Sequence, residues 1–125
     1  MENELKVQLV DYKGGIHIQV FAKVENNGVL SVYGFDSGDL PVSAAWDNDV
    51  EYGLDIAKEE KSKVKYELLE ILKVESREFT PDQGKSEDEN LLHLLAFVYQ
   101  GRRRTFDEFK DLVEKKNIKH SFWWW

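Results

Sequence analysis

Between Asp36 and Tyr52 the chain carries five carboxylates, Asp36, Asp39, Asp47, Asp49 and Glu51, together with the rings of Trp46 and Tyr52. Side chains of this kind can do three things. They can gather around a hard cation, make charge-assisted hydrogen bonds to a basic partner, or keep a loop solvated. The stretch joins two strand-like runs, Val29 to Phe35 and Val50 to Ile56. Asp, Ser, Gly and Pro are also what turns require, and a tryptophan such as Trp46 can serve as a plug at the end of a sheet. A loop held by a rigid scaffold is nevertheless a frequent place for function, so a partner-binding surface built from Asp36, Asp39, Trp46, Asp47, Asp49, Glu51 and Tyr52 stands beside those readings.

A metal-dependent hydrolase or calcium-binding protein is the second class of function. Asp36, Asp39, Asp47, Asp49 and His17 would be its ligands, and Asp47-Asn48-Asp49 matches part of a calcium loop. The match stops there. A helix–loop–helix calcium site needs a glycine and a bidentate glutamate at fixed offsets between helices, whereas this run leads into a strand pattern. His17, His93 and His120 are isolated in sequence and make no ligand spacing. No serine elbow, phosphate-binding glycine loop or paired-histidine motif is present, so the expectation is no enzyme, no catalytic residue, no cofactor and no metal.

Composition narrows the field further. At 125 residues, with 42% hydrophobic and 13% aromatic content, the chain is long enough for one packed core and short for two, so a single domain is expected. No apolar run reaches the ~18 residues of a membrane span, and the first twenty residues alternate polar with apolar instead of forming a signal peptide. No membrane and a cytoplasmic location are expected. The absence of cysteine excludes a disulfide framework, a thiolate nucleophile and cysteine-ligated metals. A net charge of −7 opposes direct nucleic-acid binding and favours a basic protein partner.

The elements that must position these residues follow from periodicity. Leu5, Val7 and Leu9 alternate with Lys6 and Gln8. After Lys13-Gly14-Gly15, the run Ile16, Ile18, Val20, Ala22 and Val24 alternates with His17, Gln19, Phe21 and Lys23. Period two predicts half-buried antiparallel strands. Asn26-Asn27-Gly28 predicts a tight primed hairpin turn. With the runs Val29 to Phe35 and Val50 to Ile56, residues 1–56 form a four-stranded antiparallel meander. Residues 57–117 then read as helical. Val64, Leu68, Ile71 and Leu72 recur at helical spacing behind Glu59 and Glu60, predicting a helix that covers one sheet face. Arg77 to Lys85 holds a breaker cluster, an exposed loop. Ser86-Glu87-Asp88-Glu89 is a capping box before Leu91, Leu92, Leu94, Leu95 and Val98, and Thr105-Phe106-Asp107-Glu108 reads as a second before Phe109, Leu112 and Val113. Asn117 is suited to a left-handed cap. The fold class is α+β, with the meander packed against about three C-terminal helices.

Residues 118–125 form an aromatic C-terminal segment. Four consecutive large rings, Phe122 to Trp125, would point in all directions from a helix, but in an extended segment they alternate, some packing on the core and others facing outward as a contact surface. A regulatory or nucleic-acid adaptor is a third reading, with Arg102, Arg103 and Arg104 on phosphates and the tryptophans as stacking platforms. Those arginines are as well suited to capping a helix end or pairing with the abundant acids.

With the elements laid out, one composite pattern resembles a known class. It comprises Phe35-Asp36-Ser37-Gly38, then Trp46-Asp47-Asn48-Asp49-Val50-Glu51-Tyr52, then Lys58-Glu59-Glu60-Lys61 opening a leucine-bearing helix. Phe106-Asp107-Glu108-Phe109-Lys110 and Asn117-Ile118-Lys119-His120-Ser121-Phe122-Trp123-Trp124 complete it. This pattern, from about Val29 to Trp125, resembles the small bacterial immunity proteins that accompany polymorphic and contact-dependent growth-inhibition toxins. The resemblance implies a short, acidic, cytosolic α+β inhibitor that binds and neutralises the C-terminal toxin domain, often a nuclease, of a cognate effector. The longer N-terminal hairpin and the basic Gly101 to Arg104 depart from the pattern. Sequence leaves the oligomeric state open.

A nuclease holds its substrate with lysines and arginines, so the acidic set Asp36, Asp39, Asp47, Asp49 and Glu51 can stand in for phosphates, with Trp46 and Tyr52 as desolvated anchors. Asp47→Asn with Asp49→Asn is then expected to weaken toxin binding and flatten its dependence on salt.

Overall fold

The computed structural model describes residues 5–14, 16–38 and 50–124. The fold is α+β. Strands β1 (Leu5–Gly14), β2 (Ile16–Val24), β3 (Leu30–Gly38) and β4 (Val50–Ile56) form an antiparallel meander; a 3₁₀ turn at Lys58–Glu60 leads into α1 (Lys61–Val74), α2 (Glu87–Tyr99) and α3 (Thr105–Lys115). The chain then returns as β5 (His120–Trp124), which pairs antiparallel with β4, so the five strands lie in sequence order. No described helix is long and apolar enough to cross a membrane.

Alternation along the strands sorts the sheet into two faces. Val20, Ala22 and Val24 on β2, Leu30 and Val32 on β3, and Leu54 and Ile56 on β4 point to the helices and join one core with Val64, Leu68 and Leu72 of α1, six residues of α2, and Phe106, Phe109 and Val113 of α3. Among the helices, α2 packs most closely on the sheet, against β1 and β2, while α1 lies chiefly along α2. A register shift between Gln8 and Val10 marks a bulge, which lets both Leu9 and Val10 be buried.

The hairpin between β2 and β3 departs from the expected primed turn. The Gly28 amide donates to the Glu25 carbonyl at 2.8 Å, and the Glu25 amide to the Val29 carbonyl at 2.9 Å. Of the turn residues only Gly28 has positive φ, +88°. This is a three-residue loop, a type I turn closed by a glycine bulge, so neither Asn26 nor Asn27 needs the left-handed conformation.

Helix ends follow local chemistry. The Ser86–Glu89 box is closed in both directions: Ser86 Oγ accepts the Glu89 amide at 3.1 Å and Glu89 Oε1 accepts the Ser86 amide at 3.2 Å. Ser86→Ala is therefore expected to lower stability by about 1 kcal/mol, read as a shift in urea midpoint with unchanged slope. The second box does not form. Thr105 is the first residue of α3 and fully buried; its hydroxyl donates backward to the carbonyls of Arg102 at 2.6 Å and Tyr99 at 3.3 Å. The N-cap position falls on Arg104, so Thr105 lies one residue inside the helix, where its side chain is turned back to the preceding turn. Asn117 (φ 55°) ends α3, with the Ile118 amide donating to the Val113 carbonyl at 2.9 Å, and Ser76 (φ 56°) ends α1 in the same way.

Candidate functional site

Alternation also divides the acidic stretch. Asp36 and Tyr52 lie on the helix-facing side, on adjacent strands, where the Tyr52 hydroxyl donates to Asp36 Oδ1 at 2.6 Å. Glu51, one residue away, points to the opposite face and lines a second depression with Gln19, Phe35 and Ser37, to which Asp36 and Val50 at the sheet end also contribute. Asp39, Trp46, Asp47 and Asp49 lie outside the described residues, as does the Asp47-Asn48-Asp49 run. Residues 39–49 join Gly38 to Val50, at the end of the sheet where Asp36 and Val50 are found.

Glycines make room for the rings here. Gly34, paired with Tyr52, presents bare backbone beneath the phenol: a Cβ there would stand 2.6 Å from Tyr52 Cε1. Gly53 does the same for the indole of Trp123, whose Nε1 donates to Asp55 Oδ1 at 3.3 Å. The Tyr52 ring meets Phe106 edge to face at 4.6 Å. Burial first, then the hydrogen bond to Asp36, pushes the Tyr52 hydroxyl far above its ordinary range, so it remains a neutral donor.

Tyr52 and Asp36 stand in a cleft of about 840 Å³ between the sheet end and the start of α3. Its walls are apolar (Ile18, Val20, Val50, Phe106, Phe122, Trp124) and its charges mixed (Asp36, Asp107, Arg103, Arg104, Lys110). β5 contributes the rings as alternation demands: Phe122 and Trp124 face the cleft, while Trp123 faces away. Phe122 is 46% and Trp124 69% exposed, and Val50 is 42% exposed beside them. The sequence holds Phe106 to Lys110 and the terminal rings far from Asp36 and Tyr52; the packing of α3 and the return of β5 to β4 bring them into one cleft.

The basic Gly101 to Arg104 segment serves three separate ends. Arg102 bridges Glu75 at 2.8 Å and Glu108 at 3.1 Å; Arg103 lies over the Tyr12 ring at 4.6 Å; Arg104 pairs with Asp107 at 3.3 Å. Glu75 also accepts from Arg77 at 2.8 Å, so the carboxylate ties the end of α1 to the start of α3. Arg77, and after it Arg102, holds the Glu75 carboxyl below its ordinary value of 4.5. A depressed carboxyl contributes stability that is fully present above that ordinary value and is lost as pH falls through the lower, folded-state one. Glu75→Gln is expected to reduce stability at neutral pH and to show a smaller loss on acidification than the parent chain, as measured by urea midpoints across the range.

His17 makes a contact of its own: Nε2 lies 2.7 Å from Asp11 Oδ1 on the open face. Among the described residues no group of three or more His, Asp or Glu side chains is placed to hold a metal ion. The arrangement offers a recess lined with rings, with a carboxylate inside and ion pairs at the rim, suited to receiving a side chain of another molecule. No protein-family model, curated protein or solved structure matches the chain.

Proposed function

We propose that this chain is an immunity protein: it binds the C-terminal toxin domain, a basic nuclease, of a cognate polymorphic or contact-dependent toxin and neutralises it without covalent chemistry. The observation that carries the reading is the gathering of exposed apolar side chains at one place. Val50, Phe122 and Trp124, each more than two-fifths exposed, line a single cleft that also holds Asp36 and Asp107. Exposed rings grouped around a recess favour a macromolecular contact over a solvated surface. The net charge of −7 supplies attraction toward a basic partner at long range. The resemblance noted in the sequence adds the identity of that partner.

Association with such a partner is steered by charge, so its rate should fall steeply as salt is raised. The test is to co-express the chain with the toxin domain encoded by its neighbouring upstream gene. A stable complex on gel filtration, with an association rate that drops between low and physiological salt, supports the reading. Failure to co-purify, or a rate indifferent to salt, counts against it.

A further inference from the structure

Among the described residues, Asp36 is the carboxylate of the cleft without a cation in contact, and Arg103, which lies over the Tyr12 ring, is the cation without a carboxylate. The Asp36 carboxylate is half-buried and accepts one neutral donor, the Tyr52 hydroxyl, and among the described residues no Lys, Arg or His pairs with it. The neighbouring charges are committed elsewhere: Arg104 to Asp107 at 3.3 Å, Lys110 to Glu114 at 3.0 Å, Arg103 to the Tyr12 ring. An ionised carboxylate offers about four acceptor positions, and one phenol fills one of them. A cationic donor can take the others.

The rings of the cleft suit a cation as well. Lys110 Nζ already lies 5.2 Å from the centre of Phe122, and Trp124, the best type of ring for such contacts, is 69% exposed in the same cleft. Arg103, Arg104 and Lys110 share the lining with Asp36 and Asp107, but Arg104 and Lys110 are already paired with carboxylates, while Asp36 is paired with no cation among the described residues. A cation with a flat, weakly hydrated head would find the Asp36 carboxylate and the Trp124 indole in one lining. Guanidinium fits better than ammonium, since it is planar, donates in a fork matched to a carboxylate and stacks on aromatic faces.

We propose that the cleft is a seat for one arginine side chain of the protein partner, its guanidinium held by Asp36 and stacked against Trp124. The inference deepens the immunity reading and rests on it for the identity of the partner, while the seat itself is testable alone.

The probe is the tripeptide acetyl-Ala-Arg-Ala-amide, titrated into the ¹⁵N-labelled full chain, with the citrulline tripeptide as its neutral isostere. Saturable shifts are expected at Asp36, Tyr52, Phe122 and the Trp124 indole, with affinity falling by about tenfold or more for citrulline and for Asp36→Asn, as befits loss of a hydrogen bond to a charged group. Asp36→Asn keeps an oxygen for the Tyr52 hydroxyl, so the wall of the cleft is retained. Equal binding of the citrulline peptide, or an Asp36→Asn chain that binds arginine as the parent does, overturns the seat. If Asp36→Asn loses the tripeptide yet still neutralises the toxin with parental affinity, the partner's arginine does not sit here and the proposal is overturned. If the tripeptide titration succeeds while no toxin is neutralised, the immunity reading falls and the guanidinium seat is upheld.

Discussion

Replacing Phe122 and Trp124 together by alanine is expected to lower affinity for the toxin domain by about 100-fold or more, while leaving the fold in place. Trp124 is 69% exposed and Phe122 46%, the latter tilted against Phe106 at 6.4 Å, and neither belongs to the buried core, so their removal opens no cavity there. Their value lies in what they offer a partner. A ring that loses its remaining water on binding is the usual anchor of an interface, worth about 2 kcal/mol or more on truncation, and two such anchors on one wall exceed about 2.7 kcal/mol together, the equivalent of the expected loss. The check is titration calorimetry with the toxin domain, alongside a thermal melt of each chain. An affinity changed less than about threefold, with the melt unaltered, places the interface elsewhere.

The second large effect is on stability. Phe109→Ala is expected to cost about 3–5 kcal/mol, because its side chain is fully buried and set edge-on to Tyr99 at 6.2 Å between α2 and α3. For a domain of marginal stability, roughly 5–15 kcal/mol, this is about a fifth of the total or more. The loss should reach the cleft, since α3 also presents Phe106, Asp107 and Lys110 to it. Tyr66→Ala on the surface of α1, where the ring is 61% exposed, is the contrast and should stay within about 0.5 kcal/mol. Urea unfolding of the two variants separates them; a Phe109→Ala cost below about 1 kcal/mol would mean that α3 does not pack as described.

Much of this fold is legible in the order of residues because strands and helices bury one face at a fixed period. Ile18, Val20, Ala22 and Val24 name the core side of β2 without any structure, and Ser86 with Glu89 names the start of α2, since both partners of a capping box lie within one turn. Thr105 misled for the same local reason. The pattern Thr105 to Glu108 is the right one for a cap, but its hydroxyl is drawn to the carbonyls of Tyr99 and Arg102, and Glu108 to Arg102. Competition from the preceding turn is invisible in a four-residue window. Asn26 and Asn27 misled similarly: the turn needs one left-handed residue, and Gly28 supplies it.

The candidate site was legible in part. Asp36 and Tyr52 were singled out from the sequence and do meet, sixteen positions apart, because the register of β3 and β4 sets Tyr52 across from Gly34 and the phenol reaches Asp36. Glu51 was grouped with them by proximity in sequence, but one residue of strand is half a period, and it points to the other face. Phe122 and Trp124 could not be joined to Asp36 from sequence, since nothing local announces that a strand following three helices will return to the edge of β4. Alternation within β5 could be foreseen; its partner could not.

The measurement that bears most directly on the account is nuclease activity of the cognate toxin domain, titrated with the purified chain. The account predicts that activity falls in proportion to added chain and vanishes at a one-to-one ratio, with the chain recovered covalently unchanged and the Phe122→Ala/Trp124→Ala variant needing far higher concentrations. A toxin domain that retains full activity in the presence of excess folded chain would contradict it.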